Sequence, residues 1–429
     1  MLKIFASMSP LLSAVVLVGL GNGLFFTLLG MRMSAEGVSS GLIGIVGSAY
    51  FAGMLAGTLF CERIIRRVGH IRAFSVFAAV SAAAAILHPL IPEPVVWVVL
   101  RFAMGLAMAG YFMVVESWLQ FEASNETRGR SFALYILFHT AGAGLGPLLL
   151  LIADPAGYEL FAIAALLYTL ALLPVALTTM SNPVLEASTR FGIRDLYTIS
   201  PVAVVGAFTI GLGISSFSAL GSVYAERIGL TAAAISFFMV APRVGGFVMQ
   251  YPMGMLSDRF DRRHVMTALT LATAVFGVAL AVVGSAPLVV VVLLVCLFGA
   301  ASAPIYSTVV AHANDYVEPR DFVAASAGLI FAHGVGASAG PTLASIAMGW
   351  FGPGGLFIWG AVVLVAFAGF IIFRMRRRAP VPQDRQGDHV VVSREATAAA
   401  LLDPRAPWER QRDPIRDTVE RARNEANMR

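Results

Sequence analysis

The chain has 429 residues, of which 58% are hydrophobic and 13% charged, with a formal net charge of +5 and a pI of about 9.5. Water-soluble domains carry roughly 25% charged residues, so this composition excludes a water-soluble surface for most of the chain. The basic residues are scattered over short loops and a tail, which excludes the basic stripe of a nucleic-acid-binding protein.

Continuous apolar runs of helix-spanning length, separated by short polar loops, predict twelve transmembrane helices. Backbone amides in lipid must pair internally, and these runs lack the period-two alternation of barrel strands. The expected fold class is therefore an all-α polytopic membrane protein. The predicted spans are 11–30, 41–61, 71–91, 95–119, 131–153, 158–179, 200–223, 231–256, 265–285, 287–311, 323–349 and 354–374.

The distribution of basic residues predicts the orientation of these spans, because cytoplasmic loops are enriched in Lys and Arg. With the N-terminus inside, most loop arginines fall on the cytoplasmic side, and only Arg32 and Arg227 fall outside. Both termini are then cytoplasmic, and the expected location is a bacterial inner membrane.

Changes in composition divide the chain into four parts. We expect one six-helix bundle over 1–180 and a second over 200–374. A polar cytoplasmic linker over 181–199 joins them. Residues 375–429 form an Arg-rich tail that lacks the apolar content needed for a packed core.

The chain lacks the patterns of common enzymes. It has no paired catalytic acids, no His-Glu-x-x-His element, no Gly-x-Ser-x-Gly turn and no phosphate-cradling loop. The cysteines, Cys61 and Cys296, lack metal-ligand spacing. We therefore expect no catalytic residue, no metal and no cofactor.

A His-x-x-Gly-x-x-x-Gly-Pro pattern occurs in the fifth span and again in the eleventh, at an offset of 194 residues. Its members are His139, Gly142, Gly146 and Pro147 in the first copy and His333, Gly336, Gly340 and Pro341 in the second. The glycines predict close helix contacts, the prolines predict kinks, and the duplicated histidines favour a packing or hydrogen-bonding role over proton transfer. Gly57 and Gly254 extend the repeat at an offset of 197.

This duplication predicts two six-helix halves in the same orientation. Parallel repeats of this kind place a binding site at their interface near the membrane midplane.

One segment at the end of the eighth span resembles the G-x-L-[SA]-D-R-x-G-R-R loop signature of the major facilitator superfamily. It consists of Gly254, Leu256, Asp258, Arg259, Arg262 and Arg263, with Asp261 in place of a glycine. The first-half segment that begins at Gly57 and contains Glu62 and Arg63 is displaced from this signature. The resemblance covers about 1–375 and implies a transporter of two pseudo-symmetric bundles.

Further elements of the resemblance concern coupling. Arg101 and Gly105 match an R-x-x-x-G element associated with proton coupling, and the glycines and proline of the fifth span resemble an antiporter element. Glu116-Ser-Trp-Leu at the end of span four resembles a bacterial subgroup of the family. The resemblance thus implies proton-coupled antiport.

Charged residues inside spans are costly in lipid and indicate functional positions. Glu116 is the candidate proton carrier, although it could instead pair with Arg128 or Arg130 as part of a gate. Arg101 is the second coupling candidate and could instead hold the outer end of span four. The two lie some 22 Å apart along the helix and cannot pair.

Arg243 lies deepest in a span and is the first candidate for contact with the substrate or a counter-ion, with a structural pair as its alternative. Other polar residues within spans are candidates for the cavity wall or for helix packing. They are Asn22, Tyr111, Gln250, His333 and Tyr306.

The cytoplasmic loops are predicted to form a latch between two conformations, with membrane topology as the alternative role. The predicted members are Gly254, Asp258, Arg259, Arg262, Arg263, Glu62, Arg63, Arg128 and Arg130.

The leading hypothesis is efflux of a small-molecule substrate by alternating access, driven by proton-coupled antiport. Two alternatives stay open: uptake of a small organic anion, and a membrane sensor that signals through the tail. The expected partners are the substrate, protons and the lipid bilayer. No nucleic acid is expected, and a monomer suffices for the site.

Overall fold

The computed structural model describes residues 2–122, 128–178, 193–284, 286–317, 321–377 and 379, and in these it is built of helices without strands. Residues 179–192, which include most of the predicted linker 181–199, and nearly all of the predicted tail lie outside the described residues. The α-helices are α1 Leu2–Ala35, α2 Ser40–Val68, α3 His70–Leu90, α4 Pro94–Glu122, α5 Arg128–Leu145, α6 Glu159–Leu170, α7 Leu172–Ala176, α8 Ile193–Ile199, α9 Pro201–Arg227, α10 Ala232–Arg259, α11 Arg262–Val282, α12 Leu288–Asn314, α13 Phe322–Phe351 and α14 Gly355–Met375.

Twelve stretches of the described helices are long and apolar enough to cross a membrane, which confirms the predicted spans. The sixth is divided between α6 and α7. Pro174 lies four residues after Leu170, so its missing N–H removes a bond that would continue α6.

Two of the observed helices extend past the predicted spans into the arginines that follow them. The predictions end the second and eighth spans at 61 and 256, but α2 continues to Val68 and α10 to Arg259. Glu62, Arg63 and Asp258, expected in loops, are therefore helical. Arginine is a good helix former, and a cation near a helix C-terminus is stabilised by the helix dipole.

The sequences of the two halves align with two different offsets in residue number. Helices α2 and α3 begin 192 residues before α10 and α11, whereas the glycine patterns of α5 and α13 differ by 194. The extra residues lie in the loop 283–287, which is longer than its counterpart 91–93.

These offsets correct the predicted equivalence of Gly57 and Gly254. The counterpart of Gly254 is Glu62, and Asp261 before α11 corresponds to Gly69 before α3. At the offset of 192, the first half carries Arg66 where the second half carries Asp258.

The predicted glycine contacts join the first and fifth helices of each half. A Cβ at Gly142 would lie 2.7 Å from the carbonyl oxygen of Val16, and a Cβ at Gly336 would lie 2.1 Å from that of Phe208. Only glycine allows the helix backbones to approach this closely.

The two repeated prolines differ in their structural effect. Pro147 lies in a 3₁₀ segment, Gly146–Leu151, that follows α5, whereas α13 runs through Pro341 without interruption. The prediction of kinks at matching places stays a prediction for Pro341, because a helix can bend at a proline without ending there.

Two ends of the helix bundle can be distinguished. The arginine-rich end is where α2 and α10 finish, with Arg66, Arg67, Arg259, Arg262 and Arg263. At the opposite end, here called the sealed end, α1 meets α2 and α9 meets α10. One buried apolar cluster includes residues of both halves, while a second belongs to the C-terminal half alone, from α8 to α14. The halves therefore share a core in only part of their depth.

Candidate functional site

A cavity of about 890 Å³ lies between the two halves. Its wall extends from the middle of the bundle toward the arginine-rich end, since it includes Thr58 late in α2, Tyr251 late in α10 and Gly129 at the start of α5. The wall comprises residues of α1, α2, α4 and α5 from the first half and α9, α10, α12 and α13 from the second. The cavity is thus accessible from the arginine-rich end.

Four of the six predicted cavity residues line this space: Asn22, Arg243, Gln250 and His333. Tyr111 and Tyr306 do not. Adjacent helical residues point about 100° apart, so Phe112 faces the cavity while Tyr111 packs against Phe74 of α3. Tyr306 is 1% exposed, because it packs edge-on against His333 in the core of the C-terminal half.

The polar cavity residues are held by local contacts. The Arg243 guanidinium donates from Nη1 to the carbonyl oxygen of Met239 at 3.3 Å. A Cβ at Gly144 would lie 3.2 Å from Arg243 Cδ, so the stem of this arginine, which belongs to the second half, contacts α5 of the first. Gln250 donates from Nε2 to Ser307 Oγ at 2.8 Å. Arg243 is thereby placed where the halves meet.

Glu116 lies behind the cavity wall rather than in it. Its side chain is 1% exposed and accepts a hydrogen bond from the Tyr135 hydroxyl at 3.2 Å. The rings of Tyr135 and His139 lie 6.2 Å apart, and His139 lines the cavity. Arg130 is exposed, and the Arg128 side chain lies outside the described residues. The carboxylate is thus linked to a residue of the cavity wall through the Tyr135 phenol and the His139 ring.

The second half repeats this arrangement without the carboxylate. At the offset of 194, Tyr306 and His333 replace Phe112 and His139, with ring centroids 5.6 Å apart in one half and 5.1 Å in the other. The counterparts of Glu116 and Tyr135 are two apolar residues of the second core, namely Val310 and Leu329.

Arg101 is enclosed by aromatic rings. It is 2% exposed, and its guanidinium carbon lies 4.4 Å from the ring centre of Phe26, 4.5 Å from that of Tyr50 and 5.5 Å from that of Phe25. Its Nε and Nη1 atoms have no hydrogen-bond partner among the described residues. Cation–π attraction therefore offsets part of the cost of burying this charge.

Polar contacts between the halves lie at the sealed end. The Arg227 guanidinium donates to Ser40 Oγ at 2.6 Å and to Ser34 Oγ at 3.2 Å. Ser48 Oγ lies 2.8 Å from Thr342 Oγ1. These contacts close the end of the bundle opposite the cavity mouth.

The described contacts of the predicted latch join α10, α11 and α12 of the second half. Arg262, with only 2% of its side chain exposed, lies 2.8 Å from Asp315 Oδ2 and 3.5 Å from Asp258 Oδ1. Asp315 was not among the residues predicted from the sequence. The feature that could have indicated it is a single acidic residue just after the tenth span. In the first half, Glu62 pairs with Arg66 on the exposed side of α2, and Arg63 lies over Phe60.

Asp261 caps α11 and accepts hydrogen bonds from the backbone N–H and the guanidinium of Arg263. Partial burial acts to raise the pKa of the Asp261 carboxyl, but these hydrogen bonds outweigh it and hold the pKa below its ordinary value. An ionised Asp261 thus stabilises the start of α11, and this contribution is lost as pH falls through the lowered pKa.

Comparison with known proteins identifies the family. The family model described as Major Facilitator Superfamily matches residues 11–241 and 203–415, so the chain belongs to this superfamily. A relative named "uncharacterized MFS-type transporter YcaD", from Escherichia coli, is 28% identical over 86% of this chain and 94% of its own length.

Solved structures share the fold. The nucleoside transporter NupG has a TM-score of 0.68 at 15% identity, covering 85% of this chain and 97% of its own. The D-xylose–proton symporter has a TM-score of 0.67 at 14% identity, with the same coverage. The chain is therefore a secondary transporter of the superfamily and not an enzyme.

The packing of α2 at the sealed end predicts how the two conformations can be shifted. A Cβ at Gly44 would lie 2.1 Å from Ser345 Oγ and 2.7 Å from the carbonyl oxygen of Pro341, both in the opposite half. We expect Gly44→Ala to favour a state open at this end, since overpacking costs about 1–3 kcal/mol. Distances between spin labels at Ala35→Cys and Ala233→Cys should lengthen.

Gly41→Ala is the matched control for this variant. Gly41 lies one turn earlier on α2, and a Cβ there meets nothing within 4 Å. An unchanged distance distribution in Gly44→Ala, or an equal change in Gly41→Ala, would contradict the assignment of this contact as the closure between the halves.

The buried ion pair at the arginine-rich end predicts a large loss of stability for Asp315→Asn. The change leaves the Arg262 charge without its nearest carboxylate, and breaking such a pair costs about 3–5 kcal/mol. The thermal midpoint of the purified protein in detergent should fall by several degrees. Glu62→Gln, which breaks an exposed pair worth about 0–1 kcal/mol, should leave the midpoint nearly unchanged. Equal midpoints for both variants would show that the Arg262 contact is not needed for stability.

Proposed function

We propose that this member of the major facilitator superfamily exports a small solute in exchange for protons, with Glu116 as the residue that carries the proton. The observation behind this proposal is the difference between the halves at two repeated positions. The first half buries a carboxylate and a phenol, Glu116 and Tyr135, where the second half buries Val310 and Leu329.

The repeat argues that Glu116 has a role other than packing. The same fold accommodates two apolar side chains at these positions and keeps the adjacent ring contact with a histidine. A buried carboxylate is costly compared with an apolar side chain of similar size. Its presence in only one half therefore favours a function for Glu116 that the repeated packing does not need.

A proton carrier must be accessible from different sides in different conformations. In the present state, Glu116 is buried and is linked through Tyr135 to His139, which lines a cavity that is accessible from the arginine-rich end. The positive-inside rule makes this end cytoplasmic. A rocking motion of the halves would close this access and break the Ser48–Thr342 and Arg227–Ser40 contacts at the sealed end.

Arg101 supports the same proposal. Its charge is held between α1, α2 and α4 by Phe25, Phe26 and Tyr50, and the Tyr50 hydroxyl donates to Asn22 of the cavity wall at 3.4 Å. A movement of α1 that follows solute binding would therefore change the surroundings of this charge. This links the cavity to the second coupling candidate through two side chains.

Uptake of a small organic anion together with protons is the second candidate. The observation that favours it is the guanidinium of Arg243 in the cavity wall. One of the solved structures with this fold is named a proton symporter, which is a precedent for coupled uptake on this architecture. Both candidates use the same cavity and the same proton carrier, and they differ in the direction of coupled flux.

The proposal predicts that Glu116→Gln abolishes proton coupling, because an amide keeps the size of the side chain and cannot bind the proton. In vesicles with a preset pH gradient, adding solutes to the wild type should dissipate the gradient, and the variant should give no such response. Tyr135→Phe keeps the ring and removes the hydroxyl that donates to Glu116, so its coupling should be weakened while the protein stays folded.

Glu93→Gln, which changes an exposed loop residue, is the matched control and should show wild-type proton coupling. Solute-driven proton movement that persists at the wild-type rate in Glu116→Gln would remove this residue from the mechanism. The sign of the response separates the candidates, since antiport and symport move protons in opposite directions for the same solute gradient.

A further inference from the structure

We infer that the transported solute is an amphipathic organic anion, with an aromatic-sized apolar body and a single carboxylate or sulfonate group that binds Arg243. This inference names the substrate class of the proposed function and rests on the central cavity being the transport site. It rests on the charge, wall composition and size of that cavity, independently of the direction of transport.

The positive charge in the cavity wall favours a solute of negative charge. Arg243 lies in the wall, and no Asp or Glu is present among the described lining residues. Glu116 is 1% exposed and lies behind Phe112 and His139. A cationic solute would thus meet a like charge and no carboxylate, whereas an anion would meet its counter-charge in a site of low dielectric.

The rest of the cavity wall favours a solute with a large apolar part. Aromatic and aliphatic side chains from both halves face the space, among them Phe26, Phe51, Phe112, Phe217, Phe247 and Phe298. A cavity of about 890 Å³ is in the range of sites for drug-sized ligands, which are roughly 300–1,000 Å³. An inorganic anion would leave most of this surface unfilled, so the anionic group must be attached to a larger hydrophobic body.

The position of Arg243 explains how such an anion would favour movement of the halves. The arginine belongs to α10, yet its Cδ lies beside Gly144 on α5 of the opposite half. A planar guanidinium binds a carboxylate with two parallel hydrogen bonds and so fixes its orientation. An anion held there lies at the junction of the halves, while its body contacts Phe26 and Phe217 on opposite sides.

The experiment measures equilibrium binding of three probes with the same ring. They are 1-naphthylacetate, its methyl ester and (1-naphthylmethyl)trimethylammonium. The full-length protein is placed in lipid nanodiscs and binding is measured by equilibrium dialysis, with empty nanodiscs to subtract partition into lipid. We expect the anion to bind at least about tenfold more tightly than the ester or the cation, since hydrogen bonds to charged groups account for factors of this size.

Variants test the role of Arg243 directly. Arg243→Gln should weaken binding of the anion on the order of 10- to 100-fold and leave the ester unchanged. Arg243→Lys keeps the charge without the bidentate fork and should retain the preference for the anion with a smaller loss. Arg194→Gln removes an exposed arginine at the same end of the molecule and should bind all three probes like the wild type.

Three results would overturn the inference. They are tighter binding of the cation than of the anion, wild-type anion binding in a folded Arg243→Gln protein, and no saturable anion binding up to about 1 mM, the upper end of usual KM values. Dialysis uses no proton gradient, so the result does not depend on coupling. Anion binding that survives in Glu116→Gln, together with lost proton flux, would support both the substrate class and the proton carrier.

Discussion

A hydrocarbon phase offers the polypeptide backbone no hydrogen-bond partners, and every structural choice in this chain follows from that constraint. It makes each apolar run a helix, and it leaves helix packing without the hydrophobic driving force that operates in water. Backbone approach at small residues takes over that role, as at Gly142 against Val16 and at Gly336 against Phe208. Polar side chains are then admitted only where protein or a water-accessible cavity surrounds them.

The repeated sequence motifs make the same packing contacts in both halves. The buried ionisable residues discussed above lie at positions where the two halves differ. The ring contact between His139 and Phe112 recurs between His333 and Tyr306. The neighbouring pair is ionisable in one half and apolar in the other. Arg101, enclosed by aromatic rings in the first half, likewise corresponds to Val295, a buried residue of the core. Symmetry thus supplies the scaffold, while single differences between the halves add a buried carboxylate at Glu116 and a buried guanidinium at Arg101.

The two ends of the bundle are held together by different kinds of contact. Small residues and short hydroxyl contacts join the halves at the sealed end, where Ser48 meets Thr342. At the arginine-rich end, the described ion pair between Arg262 and Asp315 joins two helices of the same half. Contacts that are individually weak can be broken and re-formed in a transport cycle, whereas a buried ion pair holds the helices of a half together as a rigid unit.

The sequence by itself determined the membrane class, the twelve spans and the duplication, because hydropathy and repeated motifs are local properties of the chain. It also placed Asn22, Arg243, Gln250 and His333 near the cavity, because polar residues in a span must face protein. Only the tertiary structure decided that Tyr111 and Tyr306 turn away from the cavity and that α2 and α10 continue through their arginines. It also decided that Glu116 is buried outside the cavity wall and bonds to Tyr135. Which face of a helix meets its neighbours is set by packing among several helices, and in a chain that is apolar on all sides periodicity does not encode it.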